Sequence, residues 1–334
     1  MGYDAGIMAS ARRAFQADKD RRDALLAQRT LEVYRRVPRV EEIDRELRVT
    51  VGKLMIAAFE REQDPHIMLE SLRDKNLALQ RERAELLVGA GYPYDALDEV
   101  VLCHHCDDSG ILSDGSPCRC LVAYYTKEQN RRLSKMLDLG NQSFDTFSLD
   151  WYDNERHPDY GVSPLKNMEI VLEICMGYAH TFGARSGNLL FTGAPGLGKT
   201  FLSACIAREV SSAGFSVVYD TASHIFQQFE SGKFGRDNPY EEDPDREINR
   251  YLNCDLLIMD DLGTEMLTSF VQSAFYRIIN DRLISRKKTI LSTNLSVAAL
   301  RERYGAAVAS RIEGEYQTLQ FYGKDIRIQK RDRS

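Results

Sequence analysis

One eight-residue run constrains this chain more than any other feature: Gly193-Ala-Pro-Gly-Leu-Gly-Lys199-Thr200. It follows the apolar stretch Asn188-Leu-Leu-Phe-Thr192 and precedes the helical-looking Phe201-Leu-Ser-Ala-Cys-Ile-Ala. Strand, glycine-rich turn and helix is the order in which such a run builds a phosphate cradle. Glycines let backbone N–H groups turn inward, and a helix N-terminus favours anionic charge. Gly193, Ala194, Pro195, Gly196, Leu197 and Gly198 would form the cradle. Lys199 would reach the β- and γ-phosphates of ATP, and Thr200 would offer its hydroxyl to Mg²⁺. A chance glycine-rich turn would require none of this flanking order.

Two further strand ends fit the same plan. Leu256-Leu-Ile-Met reads as a buried strand ending in Asp260 and Asp261. Ligands of open parallel sheets bind at such carboxyl ends. Asp260 is the candidate magnesium ligand, and Asp261 the candidate for orienting or deprotonating the attacking water. Thr289-Ile-Leu-Ser-Thr-Asn294 is the third part. Asn294, on a strand beside the phosphate-loop strand, could sense the γ-phosphate. The competing reading is that Asn294 or a nearby serine caps a helix starting at Val297.

Around these motifs, from Pro164 onward, short apolar runs alternate with helical stretches, the pattern of a parallel α/β sheet. Strands are expected near 188–192, 216–219, 256–259, 289–292 and 318–322. Residues 1–100 instead read as helices over 9–36, 41–62 and 66–88, with Pro38 as a break. The 334 residues allow about two domains. The expected division is a helical partner-binding region over 1–100, a cysteine hairpin over 101–122, a helix (121–139) and linker within 123–163, and the nucleotide domain over 164–334. No run of about 18 apolar residues exists, and Met1 to Asp20 is charged and lacks an apolar signal core. A cytoplasmic protein without a membrane span is expected. The net charge of −6 argues against a generally basic nucleic-acid-binding surface.

Four of the seven cysteines cluster as Cys103-x-x-Cys106 and Cys118-x-Cys120, around turn-forming Asp107-Asp-Ser-Gly110 and Asp114-Gly-Ser-Pro117. In a reducing compartment four such thiolates suit tetrahedral Zn²⁺. His104 or His105 could replace one of them, and a metal-free knuckle is the alternative. Cys175, Cys205 and Cys254 sit in apolar surroundings and read as core residues.

The three strand-end motifs together resemble the AAA+ ATPases. Asp260-Asp261-Leu262-Gly263 with Glu265, and Ala309-Ser310-Arg311-Ile312, are similar to the bacterial replicative helicase loaders of the DnaC/DnaI type and their IstB-like relatives. The likeness runs from a Phe144-Asp-Thr-Phe147 lead-in segment onward. It implies an α/β AAA+ P-loop core with no C-terminal lid, preceded by helices and a zinc hairpin. It implies an ATPase that binds a hexameric replicative helicase, self-associates, and places the helicase on single-stranded DNA. An IstB-like helper of a transposase is the alternative; a small-molecule kinase or a non-hydrolysing scaffold is more distant. The resemblance assigns Arg311 as a finger reaching a neighbouring subunit's γ-phosphate and Arg327 as a second sensor. Glu265 could share the role of Asp261, which stands where many AAA+ proteins carry Glu. Lys233-Phe-Gly-Arg236, between the second and third strands, is basic with one aromatic and suits a DNA backbone, although Glu241-Glu-Asp243 nearby would repel phosphate.

Overall fold

The computed structural model describes residues 3–57, 65–137, 141–234 and 244–333. The chain divides into two compact units, one of Met1–Arg13 with Arg119–Ser334 and the other of Ala14–Cys118. Helices α1 (Ala5–Arg36), α2 (Pro38–Ala57) and α3 (Pro65–Gly89) account for the expected N-terminal helices. Pro38 opens α2, where its missing N–H costs nothing. The smaller unit has a core of Val33, Val40 and Leu87 with Tyr34, Val37 and Tyr92 against it. Asp44 accepts from Tyr34 Oη at 2.8 Å and pairs with Arg83 at 2.9 Å. No described helix is long and apolar enough to cross a membrane.

The larger unit is a five-stranded parallel sheet. Its described elements after α4 (Arg119–Met136) and α5 (Pro164–His180) are β1 (Asn188–Gly193), α6 (Lys199–Ser212), β2 (Val217–Thr221), α7 (Ala222–Phe234), α8 (Pro244–Asn253), β3 (Leu256–Leu262), α9 (Ser269–Ile284), β4 (Lys288–Thr293), α10 (Val297–Tyr304), α11 (Ala306–Glu315), β5 (Tyr316–Phe321) and α12 (Ile326–Arg333). Each expected strand is present, with ends moved by up to three residues. The strand order is β2-β3-β4-β1-β5, and every pairing is parallel. This α/β core carries the phosphate loop after β1 and the acidic pair at the end of β3, the placement expected from the sequence.

Alternation along each strand builds two cores. Leu189, Phe191, Ile258 and Ile290 face helices α4, α5 and α6. Leu190, Leu257, Met259 and Leu291 face α7 through α11. With both faces covered, the strands read as unbroken apolar runs rather than alternating ones. Cys175, Cys205 and Cys254 are buried in these cores as expected. Burial pushes the Cys205 thiol up to about 12, so it stays protonated and inert.

Polar residues tie the strands together at the amino end of the sheet. Asp255 accepts from Ser216 N at 3.0 Å, Ser216 Oγ at 2.8 Å and Lys287 Nζ at 2.8 Å, joining β2, β3 and β4. Arg282 is fully buried. Its guanidinium donates to the carbonyls of Tyr251 (2.6 Å), Cys254 (3.1 Å) and Lys288 (2.5 Å) and to Thr289 Oγ1 (3.0 Å). Asn188 donates to Glu315 O at 3.1 Å and accepts from Thr289 N at 2.9 Å, linking β1 to β4 and β5.

Three expectations are refined. The basic segment at 233–236 is not a free loop at its start, because Lys233 and Phe234 end α7; Gly235, Arg236 and Glu241 to Asp243 lie outside the described residues. The resemblance implied no C-terminal lid, and the short polar stretch after β5 forms one further helix, α12. The helix expected over 121–139 is α4, which starts two residues earlier and ends at Met136.

Candidate nucleotide site

The phosphate loop turns on three left-handed glycines, Gly193 (φ 146°), Gly196 (φ 75°) and Gly198 (φ 92°). At Gly196 a Cβ would also overlap the Asp325 carboxylate, so the Asp325 side chain, just before α12, packs directly on the glycine backbone. Ile326 N donates to Gly196 O at 3.0 Å across that contact. Tyr152 Oη donates to Leu197 O at 3.0 Å and braces the loop from the other side.

The cleft beside the loop measures about 330 Å³, within the range of small-molecule sites. Pro195 to Thr200, Asp261, Asn294 and Arg327 line it. Gly193 and Ala194 lie behind, their carbonyls accepting from Lys199 Nζ at 2.6 and 2.7 Å. The same ammonium donates to Asn294 Oδ1 at 2.8 Å. Burial drives the Lys199 ammonium down to about 8, against the opposing pull of Asp260 and Asp261. A phosphate oxygen entering the cleft competes with these three acceptors for one strongly donating group.

Asn294 is not a helix cap. Ser296 caps α10, accepting from Ala299 N at 3.2 Å, which leaves Asn294 to face Lys199. Asp260 is buried, and its Oδ2 accepts from Thr200 Oγ1 at 2.8 Å. Adjacent strand residues ordinarily point to opposite faces. A register shift between Met259 and Leu262 interrupts that rule, and Asp261 takes a left-handed φ of 54°. Both carboxylates therefore serve one strand end. Burial and then the neighbouring Asp260 charge raise the Asp261 carboxyl above its usual range, which improves it as a proton acceptor.

Glu265 cannot share that role. One carboxylate oxygen accepts from Gly263 N at 2.9 Å; the other is held by Tyr304 Oη and Arg303. The residue is buried and braces the loop after β3. Arg311, on α11, is absent from the cleft lining. Its guanidinium lies 5.2 Å from the Tyr276 ring centroid and donates to Tyr276 Oη at 2.9 Å.

Sequence reasoning missed half of the cleft. Gln142, Thr146, Phe147, Ser148 and Trp151, in a stretch read as linker, line it together with Ile326 and Lys330 of α12. Two short 3₁₀ turns, Phe144–Thr146 and Leu149–Trp151, present these side chains, capped by Ser143 and Ser148. Phe147 packs edge-on against Phe201 at 5.4 Å between centroids. Lys330 Nζ sits 5.6 Å from the ring centroid of Trp151, the one tryptophan in the sequence. The lead-in Phe144-Asp-Thr-Phe147 was the available signal.

The cysteine motif forms a separate centre. The sulfurs of Cys103, Cys106, Cys118 and Cys120 all lie within 4.8 Å of one another. Tetrahedral zinc with Zn–S near about 2.3 Å requires sulfurs about 3.8 Å apart, so the donor set fits. His104 and His105 are exposed and stand outside the group, which corrects the expectation that one could substitute. Gly110 N donates to Cys106 Sγ at 3.3 Å, and Asp108 accepts from Cys103 N at 2.9 Å. Burial would raise the Asp108 carboxyl, but Arg22 and the amides of Leu102 and Cys103 outweigh it and hold it low.

With this geometry in place, the comparisons are specific. Residues 173–334 match the family described as IstB-like ATP binding protein. Over these residues the chain is similar to the IstB-like ATP-binding proteins. A replicative helicase loader DnaC of Buchnera aphidicola subsp. Baizongia pistaciae is 29% identical over 135 residues, 40% of this chain and 54% of that protein. The chain thus spans about half the length of that relative. An IS21 putative ATP-binding protein of Pseudomonas aeruginosa is 25% identical over 188 residues, 55% of this chain and 67% of that protein. Among solved structures, a crystal structure of the DnaC helicase loader aligns with TM-score 0.43 and 25% identity, covering 55% of this chain and 99% of that one.

Proposed function

We propose that the protein is an ATP-dependent loader of a replicative helicase. The observation that carries its chemistry is the meeting of phosphate loop and β3 at one point, where Thr200 Oγ1 donates to Asp260 at 2.8 Å. Hydroxyl and carboxylate oxygens are the hard donors that Mg²⁺ takes. When bound there, magnesium would neutralise charge on the β- and γ-phosphate oxygens of ATP. Lys199 then binds the phosphates, Asn294 holds the γ-phosphate end, and Asp261 orients water and accepts its proton. Arg327, on α12, faces the same cleft as the second sensor. The base lies toward Phe147, Trp151 and Ile326.

Arg311 is available to a neighbouring subunit because it faces away from its own cleft. The chain therefore self-associates, with Arg311 completing the adjacent site by stabilising developing charge. The helical region and the zinc-bearing cysteines bind the hexameric helicase in the cytoplasm, and the assembled domains engage single-stranded DNA. The loader-type relatives support this reading. Its test is capture of the host's replicative helicase by tagged protein, with and without ATP; retention in neither condition overturns it. The IS21 relative supports a second reading, an ATPase helper of a transposase. Capture of a transposase in place of the helicase would decide for it.

A further inference from the structure

The carboxylate of Asp260 is held by three donors from three directions. Its Oδ1 accepts from Asp261 N at 2.9 Å, and its Oδ2 accepts from Thr200 Oγ1 at 2.8 Å and from Tyr219 Oη at 2.7 Å. Thr200 belongs to the phosphate loop and takes part in ligand binding. Tyr219 is different: it sits on β2, where Tyr219 pairs with Ile258 and Thr221 with Asp260, and it is buried at 7% exposure. Its ring packs in the same core as Leu202 and Ile258, so its hydroxyl is fixed by the sheet rather than by the loop. None of the sequence motifs singled out this tyrosine.

We propose that Tyr219 is a positioning residue that fixes the rotation of the Asp260 carboxylate for Mg²⁺·ATP. The inference rests on the nucleotide-site reading above. Once the Thr200 hydroxyl turns to the metal, a carboxylate held only at Oδ1 by Asp261 N would pivot about its terminal bond. A second donor on Oδ2, anchored on the neighbouring strand, removes that freedom, whatever the Thr200 hydroxyl does. The free lone pair of Oδ1, and the Oδ2 lone pair that Thr200 gives up, are then aimed before the metal arrives, so less ordering is left to be done on binding. The hydroxyl touches neither nucleotide nor water in this scheme; it acts through Asp260.

The test is Tyr219→Phe, which removes one oxygen and leaves the ring packing in place. Trp151 fluorescence reports nucleotide affinity directly, with EDTA or with graded Mg²⁺. With EDTA the variant should bind ATP within about twofold of wild type. The gain in affinity on adding Mg²⁺ should shrink about tenfold, and the Mg²⁺ concentration giving half-maximal hydrolysis should rise by a similar factor, the worth of one hydrogen bond to a charged group. Near-UV circular dichroism and the unfolding midpoint in EDTA check that the variant is folded. Unchanged Mg²⁺ dependence overturns the proposal. A loss of affinity already present in EDTA, with a lowered unfolding midpoint, also overturns it, because Tyr219 would then only pack the core. If wild type itself gains nothing from Mg²⁺, the nucleotide-site reading fails, and this inference fails with it.

Discussion

The two ends of the sheet handle buried polar groups in opposite ways. At the amino end, Asp255, Arg282 and Asn188 spend their hydrogen bonds on neighbouring strand starts, and the network is closed. At the carboxyl end, Lys199, Asp261 and Asn294 line an open cleft. Lys199 is satisfied there by loop carbonyls that a phosphate can displace. A polar group whose partners are all within the sheet stabilises it; one whose partners are exchangeable can bind a ligand. Substitutions at the two ends should therefore separate stability from affinity.

The largest effect should come from Arg282→Met. The carbonyls of Tyr251, Leu252, Cys254 and Lys288 would lose this buried donor, costing about 3 kcal/mol or more. Urea denaturation measures this, and a loss under about 1 kcal/mol would refute the closed-network view. Lys199→Ala should do the reverse. ATP affinity should fall by about a hundredfold, the loss of a charge-assisted contact, while the urea midpoint barely moves. Titration of Trp151 fluorescence reads it, and wild-type affinity would end the phosphate-loop assignment.

Arg311→Ala sharpens the contrast, because it lies at neither end. Binding should be near normal and hydrolysis should drop at least about tenfold in the assembled state. Mixing with Lys199→Ala should restore part of the activity, since one variant keeps its loop and the other its finger. No restoration despite mixed assembly would place Arg311 within its own subunit's machinery. Chelation should remove about one zinc per chain and loosen the cysteine centre while leaving ATP affinity unchanged; elemental analysis of protein purified without chelator is the check.

The smallest effect is a pH dependence. Burial would raise the Asp255 carboxyl, but the Lys287 ammonium and the Ser216 amide and hydroxyl outweigh it and lower it. The folded state thus takes up a proton less readily than the unfolded chain. The stabilisation is present above the ordinary carboxylate range, near about 3.9, and is lost as pH falls through the folded value. Wild type should exceed Asp255→Asn by about 1 kcal/mol at neutral pH. The gap should begin to close as pH falls below about 4 and go on closing as pH falls through the lowered folded value; a constant gap would mean the charge is irrelevant.

What could be read from the sequence follows the same division. Lys199, Thr200, Asp260 and Asn294 announce themselves because their spacing is tied to local strand–turn–helix order. The amino-end ties do not: Arg282 looks like any helix-surface arginine, and only the packing of α9 on α8 and β4 buries it. Trp151 and Phe147 were hidden for another reason. Trp151 ends one 3₁₀ turn and Phe147 follows another, both turns too short for any periodicity, in a polar stretch that reads as linker. Glu265 was misjudged because its partners, Arg303 and Tyr304, are distant in sequence. The fold was legible because buried parallel strands leave unbroken apolar runs; the rim of the cleft was not, since loops carry no such pattern.

The left-handed turn at Asp261 carries a consequence for laboratory evolution. Any L-residue there bears a conformational penalty on the order of 1 kcal/mol that glycine escapes. Asp261→Gly should accordingly make the protein harder to unfold while deleting the carboxylate at the end of β3. On the role proposed for Asp261, a library selected only for heat resistance would drift toward that replacement and lose turnover without losing nucleotide binding. A clone that survives heating is then not evidence of a working enzyme, and selections on this chain need hydrolysis as a second criterion.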